Sequence, residues 1–557
     1  MFFNNMRDSI VMSGILLVYL LMAVSNAQAS VEKVSVETIS SEKKLTEKKT
    51  SSTADHSKFE ILQEQFATGP DVTTACLTCH TEASKQLHKT KHWNWKFTNP
   101  DTGQEVGKSK IINNFCLSIN KNYARCTSCH IGYGWKDKNF DFTSQENVDC
   151  LVCHDTTDTY KKYPTAAGHP NYVDKAFPKG SKKIWKAPDL SFIAQNVGKT
   201  RRENCGACHF YGGGGDGVKH GDLDSSMTNP DRQLDVHLSV DGLNFTCSEC
   251  HTTDGHDVKG SRYNIVAKDT HGIDIPGRDD QSRATCESCH GMTPHPATIN
   301  NKINDHTDKV ACVTCHIPTY ARGGIATKMW WDWSTAGRKD ADGKPIKMKN
   351  KKGQVTYLSK KGNFTWGQDL VPEYDWLSGE IKYKQLDEKI DPTQIVALNT
   401  FSGSYNDPGA RIWPFKVMRG KQPYDKGNNT LALLHLFGKD KEAYWKSFNW
   451  NASIKSAMQE AEANYSGEFG FIETTLHWPL AHMVAPKEQS LSCDACHSKE
   501  GRLANLTDFY LPGRDNNKLL DLIGWLAVLG TLGGVSLHGL VRYFFARKRV
   551  AKKRRNK

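Results

Sequence analysis

Sixteen of the seventeen cysteines fall into eight copies of C-x-x-C-H. They are Cys76, Cys79 and His80; Cys126, Cys129 and His130; Cys150, Cys153 and His154; Cys205, Cys208 and His209; Cys247, Cys250 and His251; Cys286, Cys289 and His290; Cys312, Cys315 and His316; and Cys493, Cys496 and His497. Two thiols followed directly by an imidazole are what c-type haem attachment needs. The thiols close thioethers onto the porphyrin and the histidine becomes an axial iron ligand. Zinc knuckles use cysteine pairs in twos and need no histidine after every pair. A disulfide framework needs no histidine at all. The pattern therefore predicts eight covalently attached haem c groups and leaves Cys116 as the one cysteine outside them.

The fourth motif opens an unusual stretch, "CGACHFYGGGGDGVKHGDLD" from Cys205 to Asp224. Glycines 212 to 215 permit backbone approaches that side chains block, and Asp216, Lys219 and His220 follow. Neighbouring residues in extended backbone point to opposite sides, so Lys219 and His220 can address different haems. Lysine ligates iron only as the neutral amine, so its use marks a specialised haem. Lys136 and Lys138 in "GWKDKNF" are rival donors. A phosphate-binding P-loop is excluded, because Val218 intervenes before the lysine and no Ser or Thr follows it. Beyond the eight motif histidines, fourteen remain. Setting aside His56, in a polar stretch, and His538, in an apolar one, leaves enough for every haem to be bis-histidine. Counting alone does not reveal an open iron.

These residues need a scaffold, and the chain sketches one of mostly α and irregular structure organised around eight packed haems. Arg7, an apolar run from about Ile10 to Val24 and "NAQAS" read as a signal peptide over residues 1–29. Residues 30–58 are polar and charged, the composition of a disordered spacer. A seven-haem region spans 59–316, with motif spacings too irregular for a repeat array. A haem-free region, 317–492, holds nine of the fourteen tryptophans. Within it, "GQVTYLSKKGNFTWG" alternates like a hairpin and Lys439 to Tyr465 reads as mostly helical. The aromatics are expected to pack over haem faces and edges. The eighth haem segment, 493–517, precedes an apolar transmembrane helix at 518–545 and a basic tail at 546–557. The positive-inside rule keeps that tail cytoplasmic and the haem body on the periplasmic side of a bacterial inner membrane. The net charge of +12 owes +8 to the tail, so a nucleic-acid role is excluded. Ionised propionates would bring the exported body to about −5.

The motifs "GPDVTTACLTCH", "HWNW", "RCTSCHIGYGWKDKNFDF", "CGACHFYGGGGDGVKHGDLD" and "HMVAPKEQSLSCDACH" resemble the octahaem tetrathionate reductase family of periplasmic cytochromes c, over about residues 59–515. The resemblance implies reduction of tetrathionate, nitrite or hydroxylamine at the second haem, held by Cys126, Cys129 and His130, with Lys219 as its distal ligand. It also implies that Asp216, as proton relay, and Cys116 lie at that site. For the other haems, His92, His220, His237, His256, His295, His306 and His482 are the expected distal ligands. The C-terminal anchor departs from soluble members and points to a quinol-oxidising membrane cytochrome, or another periplasmic donor, as redox partner. His538 could ligate haem b within the bilayer. A non-catalytic electron conduit and an oxidative enzyme of the hydroxylamine oxidoreductase type are the alternatives; the glycine-rich loop argues against the second.

Overall fold

The computed structural model describes residues 53–178, 180–182, 184–274, 284–296 and 302–556. The expected signal peptide and the spacer up to residue 52 lie outside the described residues. The end of the expected spacer does not behave as one. Asp55 caps a short 3-10 turn, His56–Lys58, by accepting from the backbone of Ser57.

The haem-motif region is built from short helices joined by turns. Gly69–Leu77 starts at a capping box in which the Asp71 carboxylate accepts from the amide of Thr68 at 2.8 Å, with Pro70 in the first turn. Asp189 is itself the N-cap of Leu190–Gln195, its carboxylate accepting from the amide of Phe192 at 2.9 Å. The motifs ride on single turns such as Leu151–His154, Cys312–His316 and Cys493–Cys496, or on the longer helix Arg202–His209.

Residues 317–492 instead form a mixed nine-stranded sheet. Its order is Val396–Ala397, Phe469–Pro479, Arg411–Asp425, Thr327–Asp332, Gly362–Gly367, Val355–Leu358 and Lys347–Lys349, with Glu373–Leu377 and Thr430–Leu431 also paired to Arg411–Asp425. The expected hairpin is present as Val355–Leu358 against Gly362–Gly367. Of the expected helical stretch, Tyr444–Ser447 and Trp450–Glu460 are helices, the latter capped by Asn449. Five of the region's nine tryptophans, Trp331, Trp333, Trp376, Trp413 and Trp478, are buried. Trp331 and Trp333 are fully buried and stacked at 5.2 Å, inside a core that also holds Phe364, Val417, Met418 and Trp478.

The C-terminal helix runs from Lys518 to Arg555, is exposed throughout, and is long and apolar enough to cross a membrane. It continues ten residues past the expected end of the span, so the basic segment is helical rather than a separate tail.

Candidate functional site

Six pairs of histidine rings face each other with centroids 6.1–6.3 Å apart: His56 with His80, His92 with His209, His482 with His251, His237 with His290, His295 with His316, and His306 with His497. Two metal–nitrogen bonds of about 2 Å each, plus the ring radii, fill that gap. The donor set therefore fits haem iron held between two imidazoles. In the third motif, His154 exerts the strongest electrostatic influence on His256, one of the expected distal ligands. The rings are oriented for this task. Nδ1 of His154, His251 and His497 donates to the carbonyls of Gly198, Lys259 and Pro512 at 2.8–2.9 Å. Nδ1 of His256 donates to the side chain of Gln86 at 2.8 Å. Each such bond fixes the tautomer that leaves Nε2 free for metal.

Two expectations change. His56, set aside as part of a spacer, stands opposite His80 in the first motif. His220, expected as a distal ligand, faces no histidine at the pair spacing among the described residues. It packs edge-on against Trp478 at 5.0 Å instead.

The second motif is the exception. His130 is fully buried, and its Nε2 donates to the carbonyl of Trp93 at 2.6 Å. Nδ1 packs against Gly132, where a Cβ would come within 2.9 Å. Trp93, Trp95 and Trp135 surround the ring at 4.9–5.3 Å, with Phe140 at 5.5 Å. Burial pushes its pKa down to about 3, so the ring stays neutral. This corrects the expectation that His130 is an axial ligand, because the nitrogen iron would need is already committed. "HWNW" and "GYGWKDKNFDF" supply the cage.

Lys219 approaches from the glycine-rich loop and lies within the field of Cys129. Burial first, then repulsion from Arg262 and Lys108, holds its amine well below the ordinary lysine range. That favours the neutral form a metal ligand requires. The amine lies 5.1 Å from the centre of the Trp478 ring. The glycines have separate tasks. A Cβ on Gly212 would come within 2.9 Å of Lys219 Cδ, and Gly213 turns with φ +77°. Lys416 Nζ donates to the carbonyls of Val218 and Lys219, each at 2.9 Å, and to the Thr327 hydroxyl. Lys416 is itself fully buried and is the cross-strand partner of Trp478. Asp216 braces the loop, accepting from the amide of Ser225 at 2.9 Å and from its hydroxyl at 2.5 Å. Both carboxylate oxygens are thus engaged by Ser225, which fixes Asp216 in the loop. Lys136 and Lys138 are exposed and drop out as rival donors.

Cys116 reaches the loop from the other side. Asn113 Oδ1 accepts from the amides of Phe115, Cys116 and Leu117, and this tight turn aims the thiol at the Gly213 carbonyl, 3.9 Å away. Two lysines flank it electrostatically. Lys328 is buried, with Nζ 4.0 Å from the Trp331 ring centre and 3.7 Å from that of Phe364. Lys361 Nζ sits 5.4 Å from Trp331 and 5.3 Å from Trp445. Arg262 stacks on Trp478 at 4.2 Å. Among the described residues, none of these three basic side chains forms an ion pair, and burial lowers the pKa of Lys328 and of Lys361. Sequence reasoning missed them, because a single lysine in a strand, as at 328, and single basic residues in turns, as at 262 and 361, carry no motif.

Neighbouring thiols show which motifs abut. Cys129 lies within hydrogen-bonding reach of Cys208, Cys205 of Cys247, Cys286 of Cys312, and Cys76 of Cys150. Close electrostatic contacts join Cys153 to Cys205, Cys250 to Cys289 and Cys315 to Cys496. The order is therefore eighth, seventh, sixth, fifth, fourth, with the fourth branching to the second and, separately, to the third and first.

The model of the family described as bacterial cytochrome c matches residues 328–500. An uncharacterised protein of Archaeoglobus fulgidus is 23% identical over 260 residues, 40% of this chain and 86% of that protein. The crystal structure of octahaem cytochrome c from Shewanella oneidensis is 43% identical, with a TM-score of 0.69, over 81% of this chain and 95% of that one. Together with the paired histidines and the cysteine motifs, this makes the protein a multihaem redox protein with covalently bound haem c; the chain belongs to the octahaem cytochrome c family.

Proposed function

We propose that the protein is an octahaem reductase, exported and anchored on the periplasmic side of the membrane. It passes electrons through seven bis-histidine haems to a small sulfur or nitrogen oxyanion at the haem of the second motif. There Lys219 would hold the iron, since the His130 Nε2 is engaged with Trp93. The observation that carries this reading is the inverted His130, set against paired histidines at the other motifs. When bound, the haem supplies one-electron redox chemistry at an iron that has only one strong protein ligand.

The chain's own residues do the rest. Burial keeps Lys219 neutral, and Lys416 fixes its backbone. Arg262 brings a positive charge with no carboxylate to neutralise it. Burial drives the Lys328 and Lys361 amines towards the neutral form, from which an incoming anion in this site of low dielectric would favour their protonation. Tetrathionate takes two electrons and breaks its central S–S bond to give two thiosulfates. Nitrite and hydroxylamine also consume protons, and Cys116 and His220 are the protic groups beside the loop. Electron paramagnetic resonance of oxidised Lys219→Ala tests the assignment. Eight haems should be retained, one with altered spin state or a new exogenous ligand, and tetrathionate reduction should fall at least about 100-fold, in the range for loss of a positioned catalytic group. An unchanged spectrum and rate would remove Lys219 from the site and favour a conduit in which every haem is bis-ligated.

A further inference from the structure

The eighth motif is fastened to the membrane helix with almost no slack. Its His497 donates from Nδ1 to the carbonyl of Pro512 at 2.9 Å. Asp515 folds back on the same segment, accepting from the amide of Leu511 at 2.7 Å. Arg514 donates to the carbonyl of Leu503 at 3.0 Å and pairs with Asp515. Asn517 then caps the helix by accepting from the amides of Leu519 and Leu520 at 3.2 and 3.1 Å. Only Asn516 separates the brace from the cap. Fully extended, the chain from Pro512 to Lys518 spans at most about 21 Å, so the His306–His497 pair cannot stray further than that from the start of the membrane helix plus one side chain's reach.

The same pair is also an end of the thiol order. Among the described residues, the contact of Cys496 with another motif runs through Cys315 of the seventh, and the series continues from there to the fourth motif and its branch to the second. A terminus of the relay is thus tied to the bilayer, and the candidate active centre lies several motifs away.

We propose that the His306–His497 haem site is the electron port, and that its partner is a quinol-oxidising protein embedded in the same bilayer. Each quinol becomes a quinone, releasing two protons and two electrons. The electrons leave singly through the port, and each converts one ferric haem of the series to ferrous. This holds whatever substrate is reduced at the second motif, so it stands or falls separately from the reductase reading.

Two full-length variants in native membrane vesicles test it, with menadiol supplied as quinol and haem reduction followed in the α-band by stopped flow. His306→Met replaces one imidazole by a thioether, which raises the haem potential and makes the port an electron trap. Vesicle-driven reduction of the remaining haems should slow at least about tenfold, while dithionite still reduces all of them. The second variant inserts about 20 Gly/Ser residues after Asn516, leaving every ligand intact but letting the port drift from the bilayer and lowering its effective concentration at the donor. It should slow the same phase and leave dithionite reduction unchanged. Wild-type rates in both variants would overturn the proposal. A slow His306→Met with an unaffected insertion variant would overturn the membrane-embedded partner, since a diffusing donor does not sense tether length.

Discussion

Replacing Lys416 by methionine separates global stability from the order of the loop that carries Lys219. The Lys416 ammonium offers three protons to three acceptors: the carbonyls of Val218 and Lys219 and the Thr327 hydroxyl, whose own proton goes to Gly217. Burial brings its pKa down from 10.5 to about 7, a penalty on the charged form of roughly 5 kcal/mol. Methionine fills similar volume without that penalty. It orphans two carbonyls, each worth about 1–3 kcal/mol while they remain buried. The two effects oppose each other, so thermal unfolding should move by a few degrees at most. The loop, however, relieves its orphaned carbonyls by moving them towards water. A bias of about 2–4 kcal/mol against the present geometry corresponds to a loss of roughly 30- to 1,000-fold in its population. Tetrathionate reduction with reduced methyl viologen should show kcat/KM falling within that range, accompanied by a changed second-haem signal in electron paramagnetic resonance. pH provides a further test. Above about pH 7 the neutral amine has only two protons for three acceptors, so wild-type kcat/KM should decline through that pH and the variant should lack this limb. The contribution to global stability runs the other way. Between about pH 7 and 10.5 the unfolded chain binds the proton that the folded chain has released, so this residue's contribution to stability rises with pH there. An unchanged rate and spectrum in Lys416→Met, or wholesale unfolding, would refute the balance.

His56→Ala should leave haem attachment intact and turn one low-spin haem high-spin, because only the partner of His80 is lost; an unchanged spectrum would return His56 to the spacer. Arg411 and Glu287 form a buried ion pair joining the sixth motif to the long strand. Arg411→Met should therefore cost about 3–5 kcal/mol in denaturant unfolding, and adding Glu287→Leu should restore most of it, since the penalty lies in the stranded charge.

The attachment motifs were fully legible in the sequence, because thioether chemistry demands two cysteines and a histidine in contiguous order. Ligation was only partly so. A histidine's role at iron depends on which ring nitrogen is occupied, and the residues that decide this for His130, from Trp93 to Phe142, form a cage visible only when folded. His56 is masked by polar, charged surroundings that resemble a spacer, and His220 stands beside a lysine in a loop where sequence alone does not say which haem it addresses. The hairpin at 355–367 announced itself by alternation. The strand Arg411–Asp425 did not: it is buried on both faces and carries Arg411, Lys416 and Gln422 inside, so neither alternation nor an apolar run marks it. Lys328 and Lys361 were unreadable for a related reason, since their meaning comes from the aromatic rings and the thiol that three separate segments bring together.

Strands Arg411–Asp425 and Phe469–Pro479 pair over eleven consecutive positions, from Phe415 opposite Pro479 to Asp425 opposite Phe469, with Lys416 opposite Trp478. In such a ladder side chains alternate faces, so a slip of one residue would send the Lys416 side chain and the Trp478 ring to opposite sides. Lys219 would then lose either the clamp on its backbone or the aromatic floor beneath its amine. The length of the ladder makes that slip a collective event rather than a local one. The haem-free sheet thus works as a ruler, and the placement of the Lys219 amine over the Trp478 ring is graduated in units of strand register.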